Sequence, residues 1–313
     1  MPEIPQILKQ MGGVRRFTRG RRIQRLTSII ISLVAVAILG YLVYRQKEIL
    51  LSYPWQINPA LYLLSFFVFS IDLFLVAIIW GWIMNTIGKR LDYQKHIRYY
   101  IISNIAKRIP GTLWYIASRA QFYQKEGIDY RLTSLASGIE LAVSIMSGVL
   151  VSVLFAIPIV LNYGLNPLVL AGILLVGILL LHPRVTDWIF RLLKVEATQF
   201  GYQRTIQWLI AYVPAWIFGG IVLFIIANSF IPIPLHQIGY VIGSWSLVGI
   251  VSYLLFFSPS NLGVTEVGLS LLLANIMPAP IAVILAITTR IAIILYEIIW
   301  ALIWLNVKSS SSR

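Results

Sequence analysis

The stretch "FFSPSNLGVTEVGLSLLL", residues 256–273, lies between two long apolar runs. It holds Pro259, Asn261, Gly263, Gly268 and a single carboxylate, Glu266. Proline removes a backbone donor and clashes with the preceding turn. Within hydrocarbon, freed backbone groups are tolerated only where protein or a water-filled cavity satisfies them. The stretch therefore predicts a broken or re-entrant helix that faces inward. Asn261 or Thr265 is the expected cap of a half-helix opening near Glu266. The positive end of that half-helix favours a carboxylate or a bound anion. A kinked helix without any site satisfies the same residues.

A second interruption is "KHIRYYIISNIAKRIPGTLWYIAS", residues 95–118, with Pro110 and Gly111. Outward from these two breaks the chain is apolar. Of its 313 residues 59% are hydrophobic and 12% charged, against roughly 25% charged in soluble domains. Several runs reach the roughly 18 apolar residues of a membrane helix. No alternating ten-residue strands of a membrane barrel occur. The expected fold class is all-α, a polytopic helical membrane protein of about 7–8 spans plus the two broken helices. Spans are predicted near 27–44, 59–87, 132–160, 167–182, 203–229, 238–257 and 279–305. They form one membrane domain, 27–307, between a basic tail, 1–26, and a polar tail, 308–313.

The formal net charge is +14, and it is unevenly spread. Lys9, Arg15, Arg16, Arg19, Arg21, Arg22 and Arg25 crowd the first tail against Glu3. This predicts a cytoplasmic N-terminus in the cell membrane; binding to anionic headgroups follows from the same charge. Lys89, Arg90, Lys95 and Arg98, and then Arg184, Arg191, Lys194 and Arg204, mark further cytoplasmic loops. Residues 183–202, with Trp188, Phe190, Leu192 and Leu193 among charges, suit the membrane interface. Nucleic-acid binding is not expected, because the arginines lack a stacking platform.

Charges at membrane depth are costly and usually face the bundle interior. Asp72, Glu140, Arg290 and Glu297 lie in or beside apolar spans, and Arg119 and Glu266 beside the two breaks. The halves resemble one another. Pro110 and Gly111 precede Arg119, with Glu140 in the next span; Pro259 and Gly263 precede Glu266, with Arg290 in the next span. Charge signs are swapped, which predicts an internal repeat whose breaks meet at the centre. On that pattern Glu266 pairs first with Arg119, and second with Arg290. Tyr99, Tyr100, Trp114 and Tyr115 beside Lys107, Arg108 and Arg119 fit either an interfacial belt or a phosphate-headgroup site.

The order "RIPGTLWYIASR", "SGIE", "PSNLGVTEVGLSLLL" and Arg290 resembles the membrane-domain family of lysylphosphatidylglycerol synthetase/flippase proteins. The matching positions are Pro110, Gly111, Trp114, Arg119, Glu140, Pro259, Gly263, Glu266 and Arg290, and the likeness covers about residues 59–305. Ser260-Asn261 replaces the family's usual extra glycine. The resemblance implies a protein that binds a phospholipid or lipid-linked substrate, anionic lipid included, and flips it between leaflets. Arg108, Arg119, Glu140, Glu266 and Arg290 are then the expected cavity or headgroup residues. The alternative is a membrane scaffold for a separately encoded transferase or glycosyltransferase. No aminoacyl-transfer domain follows Val307 in this sequence, so a stand-alone membrane domain is expected.

Other chemistries lack their residues. There is no cysteine. His96, His182 and His236 show no metal-ligand spacing and sit near span ends, where an interfacial role is expected. No phosphate-binding loop, nucleotide fingerprint or nucleophile elbow occurs. No catalytic residue, cofactor or metal is expected, and any transport is downhill or coupled to an ion or proton.

Overall fold

The computed structural model describes residues 57–108, 114–192, 200–254 and 263–306, and single positions at 41, 44, 48 and 51. The basic tail, most of the expected span 27–44, Pro110, Gly111, Pro259, Asn261 and the polar tail 308–313 lie outside the described residues.

Among the described residues the ordered elements are helices: α1 (Pro59–Ile87), α2 (Tyr93–Asn104), α3 (Trp114–Gln124), α4 (Tyr130–Phe155), α5 (Ile157–Asn162), α6 (Leu168–Leu180), α7 (Pro183–Leu192), α8 (Tyr202–Asn228), α9 (Ile238–Leu254), α10 (Val264–Leu273) and α11 (Ala279–Asn306). One-turn 3-10 segments extend α2 to Arg108 and precede α9 at Leu235–Gln237. Local chemistry sets several starts. The Asn58 side chain accepts from the Ala60 N–H at 3.0 Å, with Pro59 opening α1. Asp92 caps α2, and Asp129 caps α4 by accepting from the Arg131 N–H at 2.7 Å. Such side chains satisfy donors that the first helical turn leaves open.

Five helical stretches are long and apolar enough to cross a membrane: α1, α4, α8, α9 with its preceding turn, and α11. Seven to eight spans are not reached among the described residues. The stretch expected as span 167–182 forms only the 13-residue α6, shorter than the roughly 20 residues a bilayer core needs. Prolines bracket it, Pro167 before and Pro183 after. Outward faces are greasy. Leu63, Leu64, Phe67 and Ile71 of α1 and Ile291, Leu295 and Leu302 of α11 are exposed. So many exposed apolar side chains suit lipid rather than water.

Side-chain partners fix the direction of each helix. The Asn58 N–H donates to the Ser229 carbonyl at 3.1 Å, and Arg204 stacks 6.0 Å from the Trp82 ring. The start of α1 thus meets the end of α8, and the two are antiparallel. Ser65 meets Tyr296 at 2.8 Å and Trp300 donates to Ser70 at 2.8 Å, so α11 runs parallel to α1. The Tyr212 hydroxyl donates to Glu140 at 3.2 Å, and the Trp216 indole donates to the Ser144 carbonyl at 2.8 Å, so α4 runs with α8.

Two helical hairpins complete the arrangement. Lys95 near the start of α2 meets Glu126, just past α3, at 2.7 Å. Tyr99 stacks on Phe122 at 5.2 Å, and Arg119 donates to Ser103 at 3.3 Å. So α3 returns along α2. In the other half the Tyr240 hydroxyl donates to the Leu272 carbonyl, and Ser252 bonds Thr265, both at 2.9 Å. So α10 returns along α9. The first hairpin follows the end of α1 and the second the end of α8. Because α1 and α8 are antiparallel, the hairpin bases lie at opposite ends of the bundle.

The series α1–α2–α3–α4 thus corresponds to α8–α9–α10–α11. The long members have 29, 26, 27 and 28 residues, and the returning arms 11 and 10. Cross-packing corresponds too: α2 packs on α11, and α9 on α4. At the second contact Gly243 lies so close to the Phe155 backbone that an added Cβ would sit 2.7 Å from its carbonyl oxygen.

Candidate functional site

Each half contains one ion pair between its returning arm and its closing long helix. Arg119 of α3 donates to Glu140 of α4 at 2.5 Å. Glu266 of α10 faces Arg290 of α11 at 3.6 Å. The expected first-choice pair, Glu266 with Arg119, does not form; the second choice, Arg290, is the partner. The reason is the hairpin fold, which lays each returning arm against the long helix of its own half. Glu140 lies 10 positions into α4 and Arg290 11 positions into α11, about 15–17 Å at 1.5 Å per residue. These depths are measured from opposite ends of the bundle.

The Arg119 pair is a closed cage. Arg119 is fully buried, and its guanidinium sits 4.1 Å from the Trp80 ring, 4.4 Å from Tyr100 and 5.3 Å from Tyr115. Aromatic faces attract a cation electrostatically, and the second oxygen of Glu140 accepts from Tyr212. Tyr100 and Tyr115 therefore serve this cage and not an interfacial belt, whereas Trp114 is exposed.

The Glu266 pair is built differently. Gly263 has φ 90°, a left-handed conformation that favours glycine. Its N–H donates to Glu266 at 2.8 Å, so the carboxylate caps its own helix. Thr265 is not that cap; its hydroxyl bonds Ser252. Arg290 retains 16% of its side-chain exposure, toward the cavity described next.

A cavity of about 330 Å³ lies between the hairpins. Its charged lining residues are Asp72, Lys107, Glu140, Arg290 and Glu297, joined by Tyr100, Tyr115, Tyr212 and Tyr253. Glu297 accepts from Asn104 at 3.2 Å. The Lys107 ammonium stands 5.0 Å from the Tyr115 ring. Of the five residues expected in a cavity or headgroup site, Glu140 and Arg290 line this cavity. Arg119 and Glu266 brace them from behind. Arg108 ends the turn after α2, and its side chain lies outside the described set. Asn104, Tyr212 and Thr289 were not legible as cavity residues, since nothing in sequence separates them from ordinary polar positions in a helix. Asp72 did carry a signal, as the one charge in α1.

His96 is fully buried within the protein. The Trp80 indole donates to the Tyr123 hydroxyl at 2.8 Å, which leaves that hydroxyl to donate to His96 Nδ1. His96 Nε2 then donates to Asn85 at 2.9 Å. Glu126, just past α3, holds two side chains of the first hairpin. Hydrogen bonds from Lys95 and from Tyr99 hold its carboxyl below the usual range. Among the described residues, no three His, Cys, Asp or Glu side chains group to hold a metal.

The fold and the site define an all-α membrane protein with several spans and a charged internal cavity. The chain matches no protein-family model and no curated relative.

Proposed function

We propose that this protein binds a phospholipid or lipid-linked molecule by its headgroup in the central cavity and moves it between leaflets. The observation that carries this reading is the charged cavity of about 330 Å³ between two hairpins based at opposite ends of the bundle. Its volume falls within the roughly 300–1,000 Å³ of ligand sites. The hairpins are re-entrant helices, and the two halves are an inverted repeat, an arrangement that places substrate sites near the bilayer midplane. The headgroup enters the cavity while the acyl chains stay in lipid. The resemblance to the membrane domain of lysylphosphatidylglycerol synthetase/flippase proteins points the same way. The protein sits in the cell membrane with the basic tail cytoplasmic. Lys89, Arg90, Lys95 and Arg98 put the base of the first hairpin on that side, because basic short loops stay inside. The base of the second hairpin is then external.

The test is a vesicle assay. Purified protein in liposomes carrying headgroup-labelled anionic or zwitterionic phospholipid should expose inner-leaflet label to an impermeant quencher faster than empty liposomes do. Arg290→Gln should slow that exposure. Rates equal to those of empty liposomes, with no lipid co-purifying by mass spectrometry, would remove this reading. They would favour a scaffold for a separately encoded transferase, which the internal pairing of Arg119, Glu140, Glu266 and Arg290 also suits.

A further inference from the structure

Asp72 is the single charged residue of α1 and stands one position from its midpoint. It is about 20 Å from either helix end, in a span whose hydrocarbon surroundings are about 30 Å thick. Its Oδ1 is buried and accepts no hydrogen bond among the described residues. The Oδ1 of Asn104 and the hydroxyl of Thr289, which line the same cavity, are also buried without hydrogen-bond partners among the described residues.

An ionised carboxylate with a dry, unfilled oxygen is expensive, and such groups commonly take up a proton instead. Lys107 lines the same cavity. The helices packed on α1 contribute Tyr100 and Lys107 from α2 and its turn, Glu140 from α4, Tyr212 from α8, and Arg290 and Glu297 from α11. Arg290 and Glu140 are engaged by their own partners. Asp72 combines an unfilled buried oxygen with a place in the cavity wall. A site that exchanges a proton needs both a reason to hold it and a route for it.

We propose that Asp72 is a proton-binding site in the cavity wall, protonated at neutral pH in the resting protein. The coupling that follows rests on the lipid-translocation reading: Asp72 releases its proton toward one leaflet's aqueous side and reloads from the other, so a proton gradient drives lipid movement. No bond other than the carboxyl O–H forms or breaks.

The site is tested without any transport measurement. Infrared spectra of the full-length protein in an ester-free detergent should show a carboxylic-acid carbonyl band at neutral pH. The band should fade as pH rises. Labelling aspartate carboxyls with carbon-13 should shift it in the unmutated protein. The other three aspartates, Asp92, Asp129 and Asp187, lie outside the long spans. Asp72→Asn should abolish the band and Glu297→Gln should leave it. No band at neutral pH, or a band that aspartate labelling does not move, overturns the proposal. Coupling is read separately in liposomes. A transmembrane pH gradient should raise the rate of label exposure severalfold for the unmutated protein, and the ratio with and without gradient should fall to one in Asp72→Asn. A ratio of one in the unmutated protein overturns coupling. No lipid movement under any gradient defeats the lipid-translocation reading, and the infrared result still decides the proton site.

Discussion

The two ion pairs occupy corresponding places in the two halves, yet their surroundings differ. Arg119 is sealed among three aromatic rings and bonded to Glu140 at 2.5 Å. Arg290 reaches Glu266 at 3.6 Å and faces a cavity. Glu266 also holds the Gly263 N–H, so its charge has two tasks. The comparison teaches that like positions in a repeat can serve unlike ends. One pair locks a returning arm in place, while the other sets a guanidinium in the cavity wall.

The largest expected effect comes from stranding the sealed charge. Glu140→Gln removes the counter-charge of a fully buried arginine, which costs about 3–5 kcal/mol. Chemical unfolding of the purified protein should show the loss. A change under about 1 kcal/mol, the range of exposed pairs, would mean that the aromatic rings alone suffice for Arg119.

Charge reversal sharpens the pairing itself. Arg119→Glu combined with Glu140→Arg should recover part of the stability that either single change loses. Arg119→Glu combined with Glu266→Arg should recover none. Recovery by the second combination alone would break the assignment of one pair to each half.

In the other half, Glu266→Gln keeps an acceptor for the Gly263 N–H and removes the charge beside Arg290. The expected cost is about 1–3 kcal/mol, less than for Glu140→Gln because Arg290 still meets the cavity. Glu266→Ala also loses the cap, for about 1 kcal/mol more. Equal losses in Glu266→Gln and Glu140→Gln would erase the distinction between sealed and open pairs.

The smallest effect concerns the hairpin bases. The base of the first is held by Lys95, Tyr99 and Glu126, that of the second by the neutral contact of Tyr240 with the Leu272 carbonyl. The Glu126 carboxyl is lowered by its hydrogen bonds from Lys95 and Tyr99. Its contribution is therefore complete above the ordinary carboxylate pKa and is lost as pH falls through the lowered value. The pair is partly exposed, with 27% and 20% of the side chains accessible, so its worth is about 0.2–1 kcal/mol. Thermal unfolding at falling pH should lose this increment in the unmutated protein and not in Glu126→Gln. An identical acid profile in both proteins would leave the first base as insensitive to pH as the second.

Much of this arrangement could be read before any coordinates. The long apolar runs became α1, α4, α8, α9 and α11, because helix formation in lipid depends on length and composition. Positions of membrane-depth charge were also visible, since a charge in an apolar run stands out in one dimension. Length misled at residues 167–182, where flanking prolines shorten α6. The enclosure of His96 by Tyr123 and Asn85 carried no signal in the sequence.

The sequence by itself determined a helical membrane protein and showed which charges interrupt its apolar runs. Tertiary structure alone decided which charge meets which. The sequence left Glu266 with Arg119 or Arg290 as its partner, and only the return of α3 along α2 and of α10 along α9 chose between them. It likewise brought Asp72, Asn104 and Thr289 to one cavity, from three helices whose separation along the chain says nothing of their distance in space. Pairing and cavity lining are properties of adjacent helices, and adjacency is set by packing across the whole bundle, which no local pattern of residues encodes.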